Sequence, residues 1–498
     1  MPTLDLKKLK SGTDVRGVAV EGKEKITLTD EAVSSISKAF LKWLAEKTGK
    51  TSLKIAVGND SRISAERIVN CVKEALLSSG CDVVYTSLSS TPSMFILLQQ
   101  PDYGCDASVM ITASHMPYDR NGLKFFTKEG GISGEDLNEI LEIAQNGGAL
   151  SGKGTYKEKP FMDGYSKILV ETVEKACGKH PLKGKKIVVD AGNGAGGFFA
   201  EKVLIPLGAD VSGSRYLEPD GYFPNHIPNP EDKVAINSLR EAVKESCADF
   251  GVIFDTDVDR AACVGADGEE INRNSLIALI SAILLKERKG VIVTDSVTSG
   301  GLTEFIESSG GTHLRFKRGY KNVIDKCREL NENGVYSPLA IETSGHAAFK
   351  ENYYLDDGAY LIVKLLISLS QLAKEGKDLT SLISSLKKPA EEAEIRIGFS
   401  KNSQNFKAEG AKVIEELKAI AANTEGLEVE KVNYEGVRIY FKGGLMLVRM
   451  SVHDPVMPIN IESDKKGGVK DAAQTLLNLL SRYEFLNTEN LQKFIKSF

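Results

Sequence analysis

Leu53-Lys-Ile-Ala-Val57 is an apolar run typical of a buried strand, and the segments that follow it decide the fold. The run leads into the polar loop Asn59-Asp-Ser-Arg62, a helical stretch, the turn Ser79-Gly80 and a second apolar run, Asp82-Val-Val-Tyr85. A strand, a helix and a second strand at this spacing predict a βαβ unit. In such a unit the groups that bind ligands are expected on the loops beyond the strand ends.

The same plan recurs twice further along the chain. The second copy runs from Lys186-Ile-Val-Val-Asp190 through the glycine-rich loop Gly192–Gly197 to Ala209-Asp-Val211. The third copy runs from Val291-Ile-Val-Thr294 to His313-Leu314. The sequence therefore predicts three consecutive α/β domains of related build.

The C-terminal part of the chain differs from these repeats. Two helical stretches, near Ala408 to Ala422 and near Val469 to Arg482, flank a hairpin-like pair of runs at Val437–Phe441 and Leu445–Val448. This pattern predicts an α+β domain with an antiparallel sheet. The charged, proline-containing stretch Lys387–Glu394 suits a linker. The four predicted domains span residues 1–165, 166–270, 271–388 and 389–498.

The composition of the chain excludes several classes of protein. With 498 residues, 42% hydrophobic and 26% charged, it is typical of a globular protein and not of a disordered one. A net charge of -5 gives no indication that the protein binds nucleic acid or an acidic membrane. No stretch resembles a signal peptide or a membrane span, so a cytoplasmic location is expected. The seven scattered cysteines never form a C-x-x-C pair and predict reduced thiols.

Ser114 lies in a loop that reads as an active site. Ala107–Ile111 is strand-like, Pro117 and Asn121-Gly122 predict a turn, and Leu123–Phe126 begins the next extended run. A free serine hydroxyl is a poor nucleophile and needs a nearby base, a lowered pKa or a metal ion. The loop therefore predicts that helper groups lie elsewhere in the chain.

A cluster of three carboxylates is the first of these helpers. The buried-strand pattern Gly251-Val-Ile-Phe254 runs directly into Asp255, Asp257 and Asp259, whose alternate positions can converge on one point. Hard oxygen ligands that lie close together favour Mg²⁺. The alternative is that these residues are an acidic surface stretch without a ligand. An EF-hand is excluded, because Arg260 stands sixth in the loop, where that motif has glycine. Arg260 suits a phosphate oxygen instead.

Polar loops for a sugar and for a phosphate follow. Glu342, Ser344 and His346 surround a glycine after an apolar approach and can together hydrogen-bond vicinal sugar hydroxyls. Gly319 and Tyr320, in the basic stretch Lys317–Lys321, fit a loop that faces a sugar phosphate, and a solvated turn is the alternative. The loop that begins at Arg449 follows a strand and can bind a phosphate. The glycine-bracketed turn that contains Arg16 fits a structural role and an anion-binding role equally well.

Gly192, Gly194 and Gly197 satisfy the G-x-G-x-x-G pattern of dinucleotide-binding folds. The neighbouring repeats have the same strand-loop-helix unit without these glycines, and no other motif indicates hydride transfer. A tight turn and close helix packing are the favoured explanation.

Thr112-Ala-Ser-His-Met-Pro, Asp255–Arg260, Glu342–His346 and the Arg449 loop occur in one chain in this order. Together they resemble the α-D-phosphohexomutase superfamily, and more narrowly its bacterial-type phosphomannomutase/phosphoglucomutase branch, over nearly the whole length. The resemblance implies three related α/β domains with mixed sheets and a C-terminal α+β domain around a central cleft.

Carried over by position, the resemblance implies that Ser114 is the phosphorylated serine and, with the three aspartates, a ligand of one Mg²⁺ per chain. Arg260 would contact the transferring phosphate, Lys124 would assist proton transfer, and Arg16 would support the active site. The residues implied to hold the sugar are Glu342, Ser344, His346, Gly319, Tyr320 and Lys321. The residues implied to grip the other phosphate are Arg449, Ser451 and His453.

The implied reaction passes a phosphoryl group from phospho-Ser114 to the O1 or O6 hydroxyl of a hexose monophosphate. The hexose 1,6-bisphosphate, which also serves as activator, turns around and returns its other phosphoryl group to Ser114. Glucose or mannose phosphates are the expected substrates. The implied partners are small-molecule sugar phosphates, without nucleic acid or membrane, for a monomer or homodimer.

The chain departs from the family pattern in its spacers, at Met116, Thr256, Val258 and His453-Asp454. Three alternatives stay open. Phosphoglucosamine mutase is the nearest rival, a haloacid-dehalogenase-like phosphatase would use Asp255 as its nucleophile, and a non-catalytic sugar-phosphate-binding protein is the third.

Overall fold

The computed structural model describes residues 5–148, 150–401, 403–451 and 454–497. The chain forms two compact units. The first unit comprises Met1–Leu276 and Ser344–Ser381, and the second unit comprises Ile277–Thr343 and Leu382–Phe498.

The first α/β domain has a sheet in the order β1-β2-β6-β5-β3-β4-β8, with β7 attached to β6. Its elements are β1 Lys10–Ser11, β2 Asp14–Val18, α1 Asp30–Thr48, β3 Lys54–Asn59, α2 Ala65–Leu77, β4 Asp82–Leu88, α3 Thr91–Ile96, β5 Ala107–Ile111, β6 Arg120–Thr127, β7 Gly130–Gly131, α4 Gly134–Gln145 and β8 Tyr156–Glu158. β3 pairs in parallel with both β4 and β5, whereas β6 is antiparallel to β5 and β2. The first βαβ unit is thereby confirmed, and the sheet is mixed.

Two details of this domain differ from the sequence predictions. Asn121 and Gly122 lie in β6 and not in the turn, because β2 passes so close that a Cβ on Gly122 would be 2.1 Å from the Val15 carbonyl oxygen. Arg16 lies in β2 and not in a turn, because the chain reverses earlier, at Gly12, with a φ of 65°.

The second α/β domain has a smaller mixed sheet in the order β12-β11-β10-β9, in which β9 and β10 are parallel. Its elements are α5 Met162–Cys177, β9 Ile187–Asp190, α6 Lys233–Ser246, β10 Phe250–Phe254, β11 Ala261–Gly265 and β12 Glu270–Ile271.

The second repeat departs from the predicted plan. Its first helix is a 3-10 turn at Ala195–Gly197 and a π-helix at Ala200–Leu204. Its second strand shrinks to an isolated bridge between Lys186 and Asp210. The strand stops there because the Asp210 carboxylate accepts the Ser212 N–H at 2.8 Å and bends the chain.

The third α/β domain contributes to both units. Its elements are α7 Arg273–Glu287, β13 Val291–Thr294, α8 Gly300–Ser308, β14 Thr312–Arg315, α9 Tyr320–Glu332, β15 Leu339–Ile341, β16 Ala347–Phe349, β17 Leu355–Asp356 and α10 Gly358–Ala373. In the second unit, β13 pairs in parallel with β14 and β15, which confirms the third repeat. In the first unit, β16 and β17 form an antiparallel pair before α10.

The C-terminal domain is α+β, as predicted, with an antiparallel sheet in the order β19-β20-β21-β22-β18-β23. Its elements are β18 Glu391–Phe399, α11 Phe406–Ala422, β19 Leu427–Val429, β20 Val437–Phe441, β21 Gly444–Val448, β22 Val456–Ser463, α12 Gly468–Leu480, β23 Leu486–Asn487 and α13 Glu489–Lys496. Only part of the predicted linker is irregular, because β18 pairs with β22 from Glu391 onward.

Short 3-10 helices complete the fold at Leu6–Leu9, Leu97–Gln99, Lys350–Asn352 and Thr380–Ile383. Among the described residues, no helix combines the length and apolarity needed to cross a bilayer. All seven cysteines are free thiols, and four of them are buried. The domain boundaries near residues 165, 270 and 388 stay predictions.

Candidate active site

The Ser114 loop joins β5 to β6 and is held in an unusual conformation. Ser114 is 3% exposed and has a φ of 51°, in the left-handed region that residues other than glycine rarely adopt. Its N–H donates to Thr112 Oγ1 at 2.9 Å. A buried polar residue in a strained backbone is a feature found at functional sites.

The Ser114 hydroxyl has a proton acceptor on one side and a cation on the other. It donates to Asp255 Oδ2 at 3.0 Å and accepts from Arg260 Nη2 at 2.8 Å. The helper groups that the sequence required are therefore brought to the serine oxygen.

The three aspartates form a compact ligand set in the loop after β10. One oxygen from each of Asp255, Asp257 and Asp259 lies within 4.8 Å of the others, and all three side chains are buried. Asp257 Oδ1 and Asp259 Oδ1 have no hydrogen-bond partner among the described residues. Buried, unsatisfied carboxylate oxygens are costly in a protein interior unless a cation binds them. The set therefore fits a divalent metal ion.

Lys124 and Arg260 neutralise these carboxylates within the chain. Lys124 Nζ lies 2.8 Å from Asp257 Oδ2 and 2.5 Å from Asp259 Oδ2, and Arg260 Nε donates to Asp255 Oδ2 at 2.9 Å. Burial alone would lower the pKa of Lys124, but Asp257 and Asp259 raise that pKa well above the value of free lysine. Lys124 is therefore an ammonium donor. We call these five residues the aspartate cluster.

The charged neighbours of two of the aspartates shift their pKa values in opposite directions. Burial and then repulsion by Asp259 raise the pKa of Asp255 well above its ordinary value, and Arg260 opposes this. For Asp259, burial is outweighed by Lys124, His346 and Arg260, which lower its pKa. Carboxyl groups whose pKa values are shifted in opposite directions are common in active sites that transfer protons or stabilise charge.

The backbone of the aspartate loop is strained at a spacer that departs from the family pattern. Val258 is fully buried with a φ of 67°, a conformation that suits the usual glycine and costs energy for a β-branched residue. The first turn of α10 supports it, because the Gly358 N–H donates to the Val258 carbonyl at 3.1 Å. A Cβ on Gly358 would lie 2.7 Å from the Arg260 carbonyl carbon, so this approach requires glycine.

His115 is a neighbour to which the sequence gave no role. Arg260 Nη2 hydrogen-bonds His115 Nδ1, and since a guanidinium only donates, Nδ1 is the acceptor and the proton of the neutral ring is on Nε2. Burial and then Arg260 lower the pKa of His115 to about 2. Arg16 also lowers it, and its guanidinium pairs with Asp14 Oδ2 at 2.9 Å.

Ser344 and His346 lie beside the aspartate cluster in the first unit. Ser344 Oγ is 2.9 Å from His346 Nδ1, and His346 Nε2 is 3.7 Å from Asp259 Oδ1. Burial lowers the pKa of His346 to about 3, although Asp259 opposes the shift. The sequence grouped both residues with Glu342, which belongs to the second unit.

In the second unit, two glutamates hold consecutive backbone amides. Glu342 Oε1 accepts the Gly319 N–H at 2.7 Å, and Glu435 Oε2 accepts the Arg318 N–H at 3.1 Å. Glu435 Oε2 also accepts the Ser296 hydroxyl. Tyr320 begins α9, and Lys321 pairs with Asp325 at 3.0 Å on the same helix.

Arg449 follows β21 and is 4% exposed. Its Nη1 lies 4.0 Å from Glu435 Oε1, and its buried Nε has no hydrogen-bond partner among the described residues. Burial lowers the pKa of Arg449, and Glu435 opposes this. A buried guanidinium with a spare donor suits an anion. We call Arg449, Arg318 and Glu435 the arginine cluster.

The turn after Arg449 is partly described. Ser451 accepts the Asp454 N–H on its hydroxyl at 3.3 Å and donates its own N–H to the Val456 carbonyl at 3.0 Å. His453, predicted to contact a phosphate, lies outside the described residues.

Sequence reasoning missed Arg62, Thr91 and Glu435. Arg62 stood in a quoted loop without a role, and its partners are carbonyls of the Ser114 loop. The Thr91 hydroxyl donates to Asp257 Oδ2. Arg62 lies in a polar loop and Glu435 in a largely exposed stretch, so no sequence signal set either residue apart.

The glycine-rich loop of the second domain serves packing. A Cβ added to Gly194 would lie 2.8 Å from the Thr256 backbone, and one added to Gly196 would lie 3.1 Å from Phe254. A Cβ added to Gly197 would lie 2.1 Å from the Leu217 carbonyl oxygen. These glycines face protein atoms, which supports the structural explanation over a dinucleotide fingerprint.

Comparison with known proteins gives one consistent family. Residues 7–150, 163–268 and 272–389 match the phosphoglucomutase/phosphomannomutase alpha/beta/alpha domains I, II and III. The chain is 32% identical to a phosphoglucomutase of Neisseria gonorrhoeae over 92% of this chain and 93% of that protein. It is 30% identical to a phosphomannomutase/phosphoglucomutase of Pseudomonas aeruginosa over 91% and 90% of the two chains.

A solved structure agrees with the sequence comparisons. It is that of a phosphoglucomutase/phosphomannomutase family protein from Burkholderia thailandensis, which is similar to this chain with a TM-score of 0.79 and 27% identity. The match covers 95% of this chain and 96% of that one.

Proposed function

We propose that this chain, which belongs to the phosphoglucomutase/phosphomannomutase family, is a phosphohexomutase that interconverts hexose 1-phosphate and hexose 6-phosphate. The observation that carries the proposal is the Ser114 hydroxyl between Asp255 and Arg260, against three buried aspartates. Glucose and mannose phosphates are the proposed substrates, and glucosamine phosphate is the alternative.

Ser114 is the proposed phosphoryl carrier. The sugar hydroxyl oxygen forms a bond to phosphorus as the bond from phosphorus to Ser114 Oγ breaks. In net, the hydroxyl proton passes to Oγ, which becomes the hydroxyl that donates to Asp255. The bisphosphate then turns around, and the same step runs backwards with its other phosphoryl group.

The chain's cations would stabilise the transferring group. Such transfer depends on in-line positioning and charge neutralisation more than on covalent help. Arg260 reaches Ser114 Oγ, and the Lys124 ammonium contacts Asp257 and Asp259 in the same cluster. Mg²⁺ is the proposed metal, held by the three aspartates and by Ser114, and it would polarise the phosphoserine oxygen.

The other site residues keep their predicted roles as parts of this proposal. Arg16 would support the active site. The proposed sugar-binding residues are Glu342, Ser344, His346, Gly319, Tyr320 and Lys321. Arg449, Ser451 and His453 would grip the phosphate that is not transferred. Hexose 1,6-bisphosphate as activator, a cytoplasmic location and a monomeric or homodimeric state likewise stay predictions.

Ser114→Ala tests the proposal. We expect the variant to lose at least about a thousandfold in the interconversion of glucose 1-phosphate and glucose 6-phosphate, because loss of a nucleophile commonly costs more than this. The assay contains Mg²⁺ and a trace of hexose 1,6-bisphosphate, and its repetition with mannose and glucosamine phosphates ranks the substrates.

Ser108→Ala is the matched control, because Ser108 is a buried serine of β5 whose hydroxyl donates to the Met94 carbonyl at 2.8 Å. It should retain activity. Near-normal turnover by Ser114→Ala would contradict the mechanism, and phosphate release that depends on Asp255 but not on Ser114 would favour the phosphatase alternative.

A further inference from the structure

The carbonyl groups of the Ser114 loop converge on one buried side chain. Arg62 Nη1 donates to the carbonyls of Pro117 at 2.6 Å and Arg120 at 2.9 Å. Its Nη2 donates to the carbonyls of Met116 at 2.6 Å and of Ser114 itself. A planar guanidinium presents five donors in a fixed fork, so four carbonyls bound to it are fixed relative to one another.

Arg62 is itself held on three sides. Its Nε lies 3.3 Å from Asp60 Oδ2, and its backbone N–H donates to Asp60 Oδ1 at 3.0 Å. The Phe223 ring lies over the guanidinium at 5.2 Å. A Cβ on Gly221 would be 2.3 Å from the Ser61 carbonyl oxygen, so the segment that carries Phe223 packs directly onto the Asp60–Arg62 turn. The Arg62 side chain has no exposed surface.

This grip determines which way the peptide groups of the loop face. In a trans peptide the carbonyl and the following N–H point in opposite directions. Because the Ser114 carbonyl faces Arg62, the N–H of His115 points away from Arg62. The same bond supports the φ of 51° at Ser114, which a serine would not adopt without support.

We propose that Arg62 is a positioning residue for phosphoryl transfer, which holds the backbone of Ser114 in its left-handed conformation and so places Oγ between Asp255 and Arg260. This inference rests on the proposed function of Ser114. Arg62 reaches the loop only through carbonyl oxygens, so it acts through Ser114 and not on the substrate.

Arg62→Lys is the test, because lysine keeps the positive charge but lacks the planar set of guanidinium donors that binds the four carbonyls. Its matched control is Arg67→Lys in helix α2, just after the loop that carries Arg62. The Arg67 guanidinium binds the carbonyls of Ala19 and Leu28 in a different loop. We expect Arg62→Lys to lower kcat by about a hundredfold, the effect of a displacement of about 1 Å at a reacting atom. KM should stay within about twofold, and Arg67→Lys should keep both parameters.

Two further readouts separate positioning from general loss of structure. Hydrogen exchange of the amides of residues 112–119 should accelerate in Arg62→Lys and not in Arg67→Lys. Calorimetric binding of Mg²⁺ should persist, weakened only by the displaced Ser114 ligand, because the three aspartates keep Lys124 and Arg260 as partners. Fluorescence of Trp43, the single tryptophan of the chain, reports whether the first domain is folded.

A wild-type kcat in Arg62→Lys, or an equal loss in Arg67→Lys, would overturn the proposal. If Arg62→Lys does not fold, Asp60→Asn takes its place, with a smaller loss of kcat, the same unchanged KM and the same exchange pattern expected. Failure of the proposed function is distinguishable, because it would appear as a lack of interconversion in the unmodified protein, while the exchange measurement would still report on the grip.

Discussion

The aspartate cluster and the arginine cluster use charge in opposite ways. In the aspartate cluster every carboxylate has a cation against it, with Lys124 at 2.5 Å and 2.8 Å and Arg260 at 2.9 Å. In the arginine cluster the Glu435 carboxylate accepts a hydrogen bond from the Arg318 N–H, and Arg449 Nη1 lies 4.0 Å from the other carboxylate oxygen.

The difference separates fixed geometry from reversible binding. Buried charges in direct contact in a low-dielectric interior hold one arrangement, because breaking any pair leaves an uncompensated charge. A buried arginine that lacks a close counter-ion instead gains from an incoming anion. The first unit therefore has the features of a site for chemistry, and the second those of a site for capture.

Lys124→Met should produce the largest effect, a loss of stability in the unit that contains the aspartate cluster. Without Lys124, Asp257 and Asp259 lose their close cation, and removing one partner of a buried pair costs about 3–5 kcal/mol. We expect that loss in the free energy of unfolding of the first unit without metal, with partial recovery in Mg²⁺. Urea unfolding followed by Trp43 fluorescence measures it, because Trp43 lies in the first unit.

Lys364→Met is the control for this measurement. Lys364 Nζ also pairs with a carboxylate in the first unit, at 2.9 Å from Glu351, but Glu351 is about half exposed. An exposed partner is rehydrated when the pair is lost, so the cost should be below about 1 kcal/mol and independent of Mg²⁺. Equal stability of Lys124→Met and the unmodified protein in the absence of metal would refute the idea that contact with Lys124 stabilises the two buried carboxylates.

The aspartate cluster was more accessible to sequence reasoning than the arginine cluster. Asp255, Asp257 and Asp259 occupy one short stretch after a strand, so their convergence follows from local geometry. Arg62 grips a residue 52 positions away and Glu435 one 117 positions away, and such contacts exist only after strands have paired and domains have packed.

The same limit explains the misplaced turns and the changed helix in the fold. The βαβ pattern gave the correct strands in the first and third repeats. It could not show that Gly122 pairs beside β2 in the sheet, because that requirement comes from a strand more than a hundred residues earlier in the chain. Nor could it show the bend at Asp210, where a single side chain competes with the sheet for a backbone N–H.

Arg449→Gln should produce an intermediate effect, confined to binding. A hydrogen bond to a charged group contributes about 1.5–3 kcal/mol, so we expect hexose 6-phosphate to bind about 10- to 100-fold more weakly. Calorimetry on the Ser114→Ala background measures binding without turnover, and kcat at saturation should be nearly unchanged in the otherwise unmodified protein.

Arg482→Gln is the control, because Arg482 is an exposed arginine in the same unit, just beyond α12. It should bind hexose 6-phosphate as the parent does. A large loss of kcat in Arg449→Gln at saturating substrate would instead assign Arg449 to the chemical step and remove the proposed division between capture and chemistry.

Glu435→Gln should produce the smallest effect, and one of opposite sign. The amide oxygen can still accept from the Arg318 N–H and the Ser296 hydroxyl, so the backbone anchor survives. The negative charge near Arg449 is lost, and at about 4 Å a charge screened by water contributes about 1 kcal/mol. We expect inorganic phosphate to bind up to about tenfold more tightly, as measured by calorimetry.

The sign of the Glu435→Gln result is decisive for the comparison. Tighter binding means that Glu435 opposes the anion electrostatically and serves mainly as a backbone anchor, unlike Asp257, whose charge is matched by Lys124. Weaker binding would mean that the carboxylate charge holds Arg449 in its binding geometry across the 4.0 Å gap. Both clusters would then depend on paired charge, and the difference between them would be one of distance alone.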